Sequence, residues 1–172
     1  EELEATLLPS LQSRVEQIEA LEATYLKNHA CTVRLLGEGL HTTTFGALRY
    51  LAGKASLPVR CAFADSAAFD TARTHVREAK QLVLDTTALG TLLMLELWDW
   101  LDEHTAVTRP TIDELREYAQ EIRESSLAGG HLGAEGDNVV FTRSSPEAIS
   151  ALKQQIEAAI EHIVQNCSVL TS

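Results

Sequence analysis

Residues 81–89 read Gln-Leu-Val-Leu-Asp-Thr-Thr-Ala-Leu: a short apolar run ends in one carboxylate, Asp85, and two hydroxyl residues follow at once. The run Leu82–Leu84 predicts a buried strand in the middle of a parallel sheet, and the next residues predict an apolar helix over 88–103. A carboxylate where a buried strand meets a helix is costly unless it is paired, hydrogen-bonded or bound to a metal ion. Asp85 is therefore the first candidate functional residue.

A second carboxylate, Glu114, lies in a similar setting downstream. Residues 105–108 predict another short strand, after which Pro110 and Thr111 open a helix. Strand, Asp85, helix, strand and Glu114 together form a βαβα unit, whose crossover should be right-handed. Both carboxylates are then expected at the carboxyl edge of the strands, where open α/β sheets bind ligands.

The two carboxylates have a functional and a structural interpretation. Facing each other across a crevice, they would suit Mg²⁺ or Mn²⁺, ions that prefer oxygen ligands and that activate water for attack on a phosphodiester. As structural groups, Asp85 would cap the helix that follows it, and Glu114 would complete a capping box with Thr111. The functional interpretation remains open because both carboxylates are expected at the same edge of the strands.

The N-terminal part of the sequence is mostly helical in pattern. Apolar residues recur at three- and four-residue intervals over 2–29, and Pro9 is expected to start a new helix after a short turn. Segment 31–36 is compatible with a strand or with continued helix. Residues 42–52 predict a short helix with cap candidates at Thr42 to Thr44, and residues 58–63 form a weak strand candidate.

The C-terminal part adds a hairpin and a long helix. Asp65 and Ser66 are expected to cap a helix that reaches Lys80. Residues 129–143 predict a β-hairpin with a glycine-containing turn. A helix follows from Pro146 to about residue 166, and residues 167–170 are expected to begin another strand.

Composition limits the possible functions. The chain has 172 residues, 45% of them hydrophobic, and a formal net charge of -11, so nonspecific nucleic-acid binding would need a local basic patch or a further part of the protein. The cysteines Cys31, Cys61 and Cys167 are widely spaced, which is typical of reduced thiols in a cytoplasmic protein. No apolar run has the length of a membrane span, and the absence of an initiator Met suggests a processed chain or a piece of a longer polypeptide.

Two of these motifs resemble a known family. Leu82-Val-Leu-Asp85-Thr-Thr-Ala-Leu89 resembles the opening motif of PIN domains, the ribonuclease domain of many bacterial toxins and RNA-processing enzymes. Residues 107–115, Val-Thr-Arg-Pro-Thr-Ile-Asp-Glu-Leu, are similar to the second motif, in which a proline shortly precedes the acidic residue. The resemblance implies that Asp85 and Glu114 are metal ligands and that Thr86 or Thr87 supports Asp85.

The resemblance also defines what is missing. It covers roughly residues 80–125, and nothing downstream matches the remaining acids of the family; Asp137, in the predicted hairpin turn, is a poor substitute. We therefore expect an α/β fold with a small, mainly parallel, PIN-like sheet flanked by helices, with a β-hairpin excursion and an N-terminal helical extension. Residues 1–54 would form the extension, and residues 55–172 a PIN-like domain that is incomplete at its C-terminus.

Two functional hypotheses follow. In the first, the chain is a Mg²⁺- or Mn²⁺-dependent ribonuclease module acting on RNA, with Asp85 and Glu114 as catalytic metal ligands, and it is inactive as an isolated fragment. In the second, it is a non-catalytic interaction or regulatory domain on a PIN-like scaffold. That domain would bind a protein partner, or the rest of a larger polypeptide, through its long N-terminal helix.

Overall fold

The computed structural model describes residues 2–28, 30–59, 66–128, 130–135, 138–143 and 145–171. Within these ranges the helices are α1 (Glu2–Lys27), α2 (Val33–Leu40), α3 (Thr44–Ala52), α4 (Ser66–Glu78), α5 (Thr86–Met94), α6 (Arg109–Ala128) and α7 (Pro146–Asn166). The strands are β1 (Leu82–Leu84), β2 (Thr105–Thr108), β3 (Gly130–Glu135), β4 (Asn138–Arg143) and β5 (Ser168–Leu170). One turn of 3-10 helix spans Trp98–Trp100.

A small parallel sheet in the order β1-β2-β5 lies among the helices, which confirms the predicted mixed α/β class. Leu84 pairs with Val107, and Val107 pairs with Val169. Because all three strands are parallel, their carboxyl ends meet at one edge of the sheet. Among the described strands β2 is central and β1 lies at an edge, so the prediction that β1 occupies the middle of the sheet is wrong. Val83, in the apolar run, is accordingly 58% exposed.

Two groups of buried side chains fill the interior. The first, here called the sheet core, joins the sheet to α5, α6 and α7. Its buried members are Phe45, Leu89, Leu93, Leu101, Val107, Ile112, Leu115, Tyr118, Ile156, Ala159 and Ile163. The second, here called the helical core, joins α1, α2 and α3. Its members are Tyr25, Cys31, Val33, Leu36, Ala47, Leu48, Leu51 and Leu57.

Helix α3 belongs to both groups. Phe45 at its start stacks on Tyr118 of α6, with ring centroids 6.0 Å apart, whereas Leu48 and Leu51 face the helical core. Residues 1–54 therefore contact the rest of the chain through buried side chains. An extension that merely touched the α/β unit would not contribute a ring to its core.

Several local predictions are confirmed and others are corrected. Residues 33–40 are helical, with Thr32 as the N-cap, which resolves the alternative left open for 31–36. Helix α1 is continuous through Pro9, so no new helix starts there. The ring nitrogen of Pro9 has no hydrogen to donate, and the helix tolerates that single missing bond.

Helix α5 is shorter than the predicted 88–103. It ends at Met94, where the N–H groups of Glu96 and Leu97 donate to the carbonyls of Leu93 and Leu92 at 3.1 and 2.8 Å. This pattern is a Schellman motif, in which Glu96 takes a left-handed φ of 57°. Leu97 and Trp98, which follow the end of α5, are half-buried. The apolar spacing therefore continues past Met94, and the sequence pattern does not show where α5 ends.

The remaining predictions concern the hairpin and the flanking segments. β3 and β4 pair antiparallel, from Gly130 with Arg143 to Glu135 with Asn138. The turn between them, with Asp137, lies outside the described residues, as do Cys61, Asp65 and most of the strand candidate 58–63. β5 pairs in parallel with β2, as expected for a strand that begins after α7. In the part of the chain that the structure describes, no helix combines the length and the apolar character needed to cross a membrane.

Candidate functional site

Asp85 is the N-cap of α5. Its backbone is extended, with φ -82° and ψ 173°, and its Oδ1 accepts the N–H of Ala88 at 2.7 Å. This geometry confirms the capping interpretation. The side chain is exposed, and Oδ1 is the oxygen engaged within the described residues. The helix end therefore fixes the direction of the carboxylate while solvent still reaches it.

Glu114 makes a different contact from the one predicted. Its Oε1 accepts the backbone N–H of Thr44 at 2.8 Å, and its Oε2 accepts the hydroxyl of Thr86 at 3.2 Å. The capping box with Thr111 is wrong because α6 already begins at Arg109. Thr108 caps that end instead, since its hydroxyl accepts the N–H of Thr111 at 3.4 Å. Glu114 lies one turn too far along α6 to cap its own helix.

Hydroxyl groups connect the two sequence motifs. Thr111 is buried, and its Oγ1 lies 3.3 Å from that of Thr86 and 3.0 Å from that of Thr108. The Thr86 hydroxyl thus contacts Glu114 and Thr111. We call Asp85, Thr86, Thr108, Thr111 and Glu114 the threonine crevice. It lies at the carboxyl edge of β1 and β2, where the sequence predicted that the acidic motifs would meet.

The two candidate supporting hydroxyls differ in what they do. Thr86 supports the second carboxylate, Glu114, through its direct hydrogen bond. Thr87 is half-buried, and its carbonyl accepts the hydroxyl of Thr91 at 2.8 Å within α5. The structure therefore places Thr86, rather than Thr87, in contact with Glu114, whereas the hydroxyl was predicted to support Asp85.

Glu121 is a functional candidate that the sequence did not reveal. Its Oε1 accepts the N–H of Thr43 at 3.0 Å, and its Oε2 accepts the hydroxyls of Thr42 and Thr43 at 2.7 and 3.4 Å. Glu121 lies seven residues after Glu114, so both project from one face of α6 toward the start of α3. Negative groups there satisfy otherwise unpaired N–H donors and complement the helix dipole. We call Glu114 and Glu121 the α3 clamp.

A cavity of about 600 Å³ lies beside the α3 clamp. Its lining is strongly acidic. The carboxylates on it are Glu38, Asp113, Glu114, Glu117 and Glu121, and the cationic or titratable groups are Arg34 and His41. Arg34 forms an exposed ion pair with Glu38 at 3.3 Å, so it neutralises only part of this charge. The cavity gives solvent access to the clamp, and its charge attracts cations rather than the phosphates of RNA.

The acidic side chains fit a metal ion only in part. Among the described residues, no group of three or more His, Cys, Asp or Glu side chains is placed to hold one. Mg²⁺ often keeps several water ligands and takes one or two protein carboxylates, which Asp85 and Glu114 would provide. The Oε1 and Oε2 atoms of Glu114 already accept hydrogen bonds, so coordination there has to coexist with the contacts to Thr44 and Thr86.

Side chains at the other end of α5 take no part in this crevice. Glu96 follows the C-terminal end of α5, and the helix separates it from Asp85 by its length of about 13 Å. Trp98 packs edge-on against His162, with centroids 5.6 Å apart, whereas Trp100 is 76% exposed. One tryptophan therefore packs against the sheet core and the other meets solvent.

Comparison with protein-family models, with curated proteins and with solved structures finds no match to this chain. The functional argument therefore rests on the sheet, the threonine crevice and the α3 clamp.

Proposed function

We propose that this chain carries a PIN-like, Mg²⁺- or Mn²⁺-dependent ribonuclease module whose acidic site is incomplete within the chain itself. The observation that carries the proposal is the hydrogen bond between the Thr86 hydroxyl and Glu114 Oε2. Thr86 directly follows Asp85, so this bond joins the two acidic motifs at the carboxyl edge of a parallel sheet. That edge is where α/β proteins generally bind their ligands.

In this proposal Asp85 and Glu114 hold the ion, which when bound activates water and neutralises charge on the phosphodiester. The chain supplies the orientation of the two carboxylates. The Ala88 N–H fixes Asp85, and Thr44 together with Thr86 fixes Glu114. A further acidic ligand would come from another part of the polypeptide or from a partner, so this chain alone is proposed to bind the ion without cleaving RNA.

Titration with Mn²⁺ during thermal unfolding tests the proposal. A ligand that binds only the folded state at one hundred times its Kd adds about 2.7 kcal/mol, which raises the Tm of a chain of this size by roughly 5 °C or more. We expect this rise in the wild type and its loss in Asp85→Asn. Asparagine caps helices as well as aspartate does, so this variant removes the charge while keeping the cap.

Two more variants show whether a loss of the Mn²⁺-induced rise in Tm is specific to the proposed metal ligands. Glu114→Gln should also abolish the Mn²⁺ effect, whereas Glu121→Gln, on the same face of α6, should retain it. Equal Mn²⁺ responses in wild type and Asp85→Asn, or the absence of any response, would rule out the metal site in this chain.

A second candidate is a non-catalytic interaction or regulatory domain on the same scaffold. The observation favouring it is that Asp85 and Glu114 both act as acceptors for helix N-terminal N–H groups, which accounts for their presence without chemistry. Exposed apolar side chains such as Val15 on α1, which is 37% exposed, would serve a partner. This candidate predicts that Mn²⁺ leaves the Tm of the wild type and of Asp85→Asn unchanged.

A further inference from the structure

A second cavity, of about 260 Å³, opens among helices α3, α5, α6 and α7. We call it the α5 pocket because it lies at the C-terminal end of α5, whereas Asp85 caps the N-terminal end. Its deepest lining is apolar and well buried: Phe45, Leu93, Tyr118 and Ile156 are each at most 8% exposed. Pockets between packed helices that combine an apolar lining with a few polar groups are typical small-molecule sites.

Two oppositely charged side chains also line this pocket. Arg49, in the last turn of α3, and Glu96, just after α5, both line the pocket and both are exposed. Within the described part of the chain neither forms an ion pair or a side-chain hydrogen bond. Burial raises the pKa of Tyr118, against the opposing effect of the Arg49 guanidinium.

Glu96 adopts a backbone conformation that its side chain does not favour. Its φ of 57° lies in the left-handed region, which glycine or asparagine occupies at lower cost at the end of a helix. A glutamate at this position is therefore unfavourable for the helix ending itself. A functional use of its carboxylate, which lines the pocket, would explain why the position carries glutamate.

The size and the charges together select a ligand class. A dry protein cavity of about 150 Å³ is large enough to bind benzene, so the α5 pocket has room for a ring or a branched chain and a short polar group. A fatty acid would satisfy Arg49 alone, and an alkylamine would satisfy Glu96 alone. A zwitterion with an apolar side chain satisfies both.

We propose that the α5 pocket binds a free apolar α-amino acid. The side chain packs among Phe45, Leu93 and Ile156, the carboxylate pairs with Arg49, and the ammonium group pairs with Glu96. This site is separate from the threonine crevice and does not depend on a metal ion. It would make the chain a sensor or carrier of an apolar amino acid, whatever the crevice does.

Isothermal titration calorimetry with three related probes tests the charge requirement. L-phenylalanine carries both charges, phenylacetate only the carboxylate, and phenethylamine only the ammonium group. We expect L-phenylalanine to bind at least about tenfold more tightly than either singly charged probe, because each lost charge-assisted hydrogen bond weakens binding by this factor or more.

Substitutions of residues that line the α5 pocket test whether the ligand binds there. Arg49→Gln and Glu96→Gly should each weaken L-phenylalanine binding about tenfold, and Glu96→Gly should at the same time raise the Tm because it relieves the left-handed residue. Ala52→Trp, at the exposed end of α3, should block the mouth and abolish binding. Arg77→Gln and Glu78→Gln, on the exposed end of α4, are matched charge controls that should bind like the wild type.

Three results would overturn the proposal. One is equal binding of L-phenylalanine and phenethylamine, which would indicate an apolar pocket without zwitterion recognition. Another is unchanged affinity in Arg49→Gln and Ala52→Trp, which would place the ligand elsewhere. The third is that neither L-phenylalanine nor L-leucine binds at millimolar concentration to wild-type protein that is folded, as shown by its cooperative unfolding transition.

Discussion

At the scale of single residues, three carboxylates of this protein accept hydrogen bonds at the N-terminal ends of helices. Asp85 caps α5 from within its own strand-to-helix junction, whereas Glu114 and Glu121 reach from α6 to the start of α3. The first contact is local, and the other two join distant parts of the chain. Removing a clamp carboxylate therefore affects tertiary structure as well as one helix.

Glu121→Ala should lower the free energy of unfolding by about 1–3 kcal/mol, because the hydroxyl of half-buried Thr42 and the N–H of buried Thr43 lose their acceptor. Urea denaturation followed by circular dichroism measures this difference. Glu124→Ala on the same helix is the control. Glu124 accepts an exposed hydrogen bond from Gln120, so its loss should cost less than about 0.5 kcal/mol. Equal effects of the two substitutions would contradict the clamp.

Glu22 of α1 provides a pH-dependent contact with α3. It accepts a hydrogen bond from the Tyr50 hydroxyl, and the Lys54 ammonium lies 3.0 Å from its Oε1. Burial raises the pKa of Glu22, but the hydrogen bonds from Tyr50 and Lys54 outweigh burial, and the pKa in the folded protein is lowered. A lowered folded pKa stabilises the protein above the unfolded pKa of about 4.3, and this contribution is lost as pH falls through the folded pKa.

The stability difference between wild type and Glu22→Gln should therefore be largest near neutral pH and shrink below about pH 4.5. We expect less than about 1 kcal/mol at pH 7, because the pair is partly exposed and screened by solvent. Urea midpoints between pH 3 and 7 measure it. Glu19→Gln, on the exposed side of α1, is the control and should show a smaller pH-dependent difference. A stability difference that grows on acidification would contradict a lowered pKa of Glu22 in the folded protein.

At the scale of elements, α3 and α5 pack closely at a glycine. A Cβ added to Gly90 would lie 2.3 Å from Cδ1 of Leu48 and 3.2 Å from Cδ1 of Phe45. Leu48 belongs to the helical core and Phe45 to the sheet core, so this helix contact lies where the two cores meet. The glycine permits the approach, and any side chain there forces the helices apart or Leu48 out of place.

Gly90→Ala should destabilise the protein by about 1–3 kcal/mol, although alanine favours helix formation by up to about 1 kcal/mol. Gly53→Ala is the matched control. Its φ of -79° suits any residue, and the nearest atom to its added Cβ is 3.5 Å away, so it should be neutral or slightly stabilising. Chemical denaturation of both variants gives the comparison. A stabilising Gly90→Ala would show that α3 and α5 are not in close contact.

At the scale of the whole molecule, the predicted boundary at residue 54 raises the question of whether the two parts unfold cooperatively. The sequence suggests an extension over 1–54 and a separate α/β domain over 55–172. The structure connects these parts through Phe45, the α3 clamp and Gly90. Units that share buried side chains in this way are expected to unfold together, as small single domains usually do.

Leu36→Ala tests this coupling, because Leu36 is fully buried in the helical core and both tryptophans lie in the other part. It should lower stability by about 2–5 kcal/mol and shift the tryptophan fluorescence midpoint by the same amount as the circular dichroism midpoint. Val164→Ala, at a position that is 49% exposed, should shift neither appreciably. A fluorescence transition that stays in place in Leu36→Ala would establish two independent domains.

The sequence by itself determined many of the local elements of this protein. Apolar spacing and hydroxyl or acidic caps act within a few residues, so the cap candidates Thr42 to Thr44 before α3 and Asp85 before α5 can be recognised without knowing the fold. The parallel order of β1 and β2, and the position of both acidic motifs at the carboxyl edge of these strands, also follow from the βαβ connection.

Only the tertiary structure decided what the carboxylates contact. Glu114 and Glu121 lie 70 and 78 residues from their partners in Thr44 and Thr43, and no local pattern encodes such a pairing. The sequence suggested a capping box because a hydroxyl precedes Glu114 at the right spacing, yet Thr108 starts α6 earlier. A carboxylate binds whichever unpaired N–H group packing brings within reach, and here the packing of α3 against α6 made that choice.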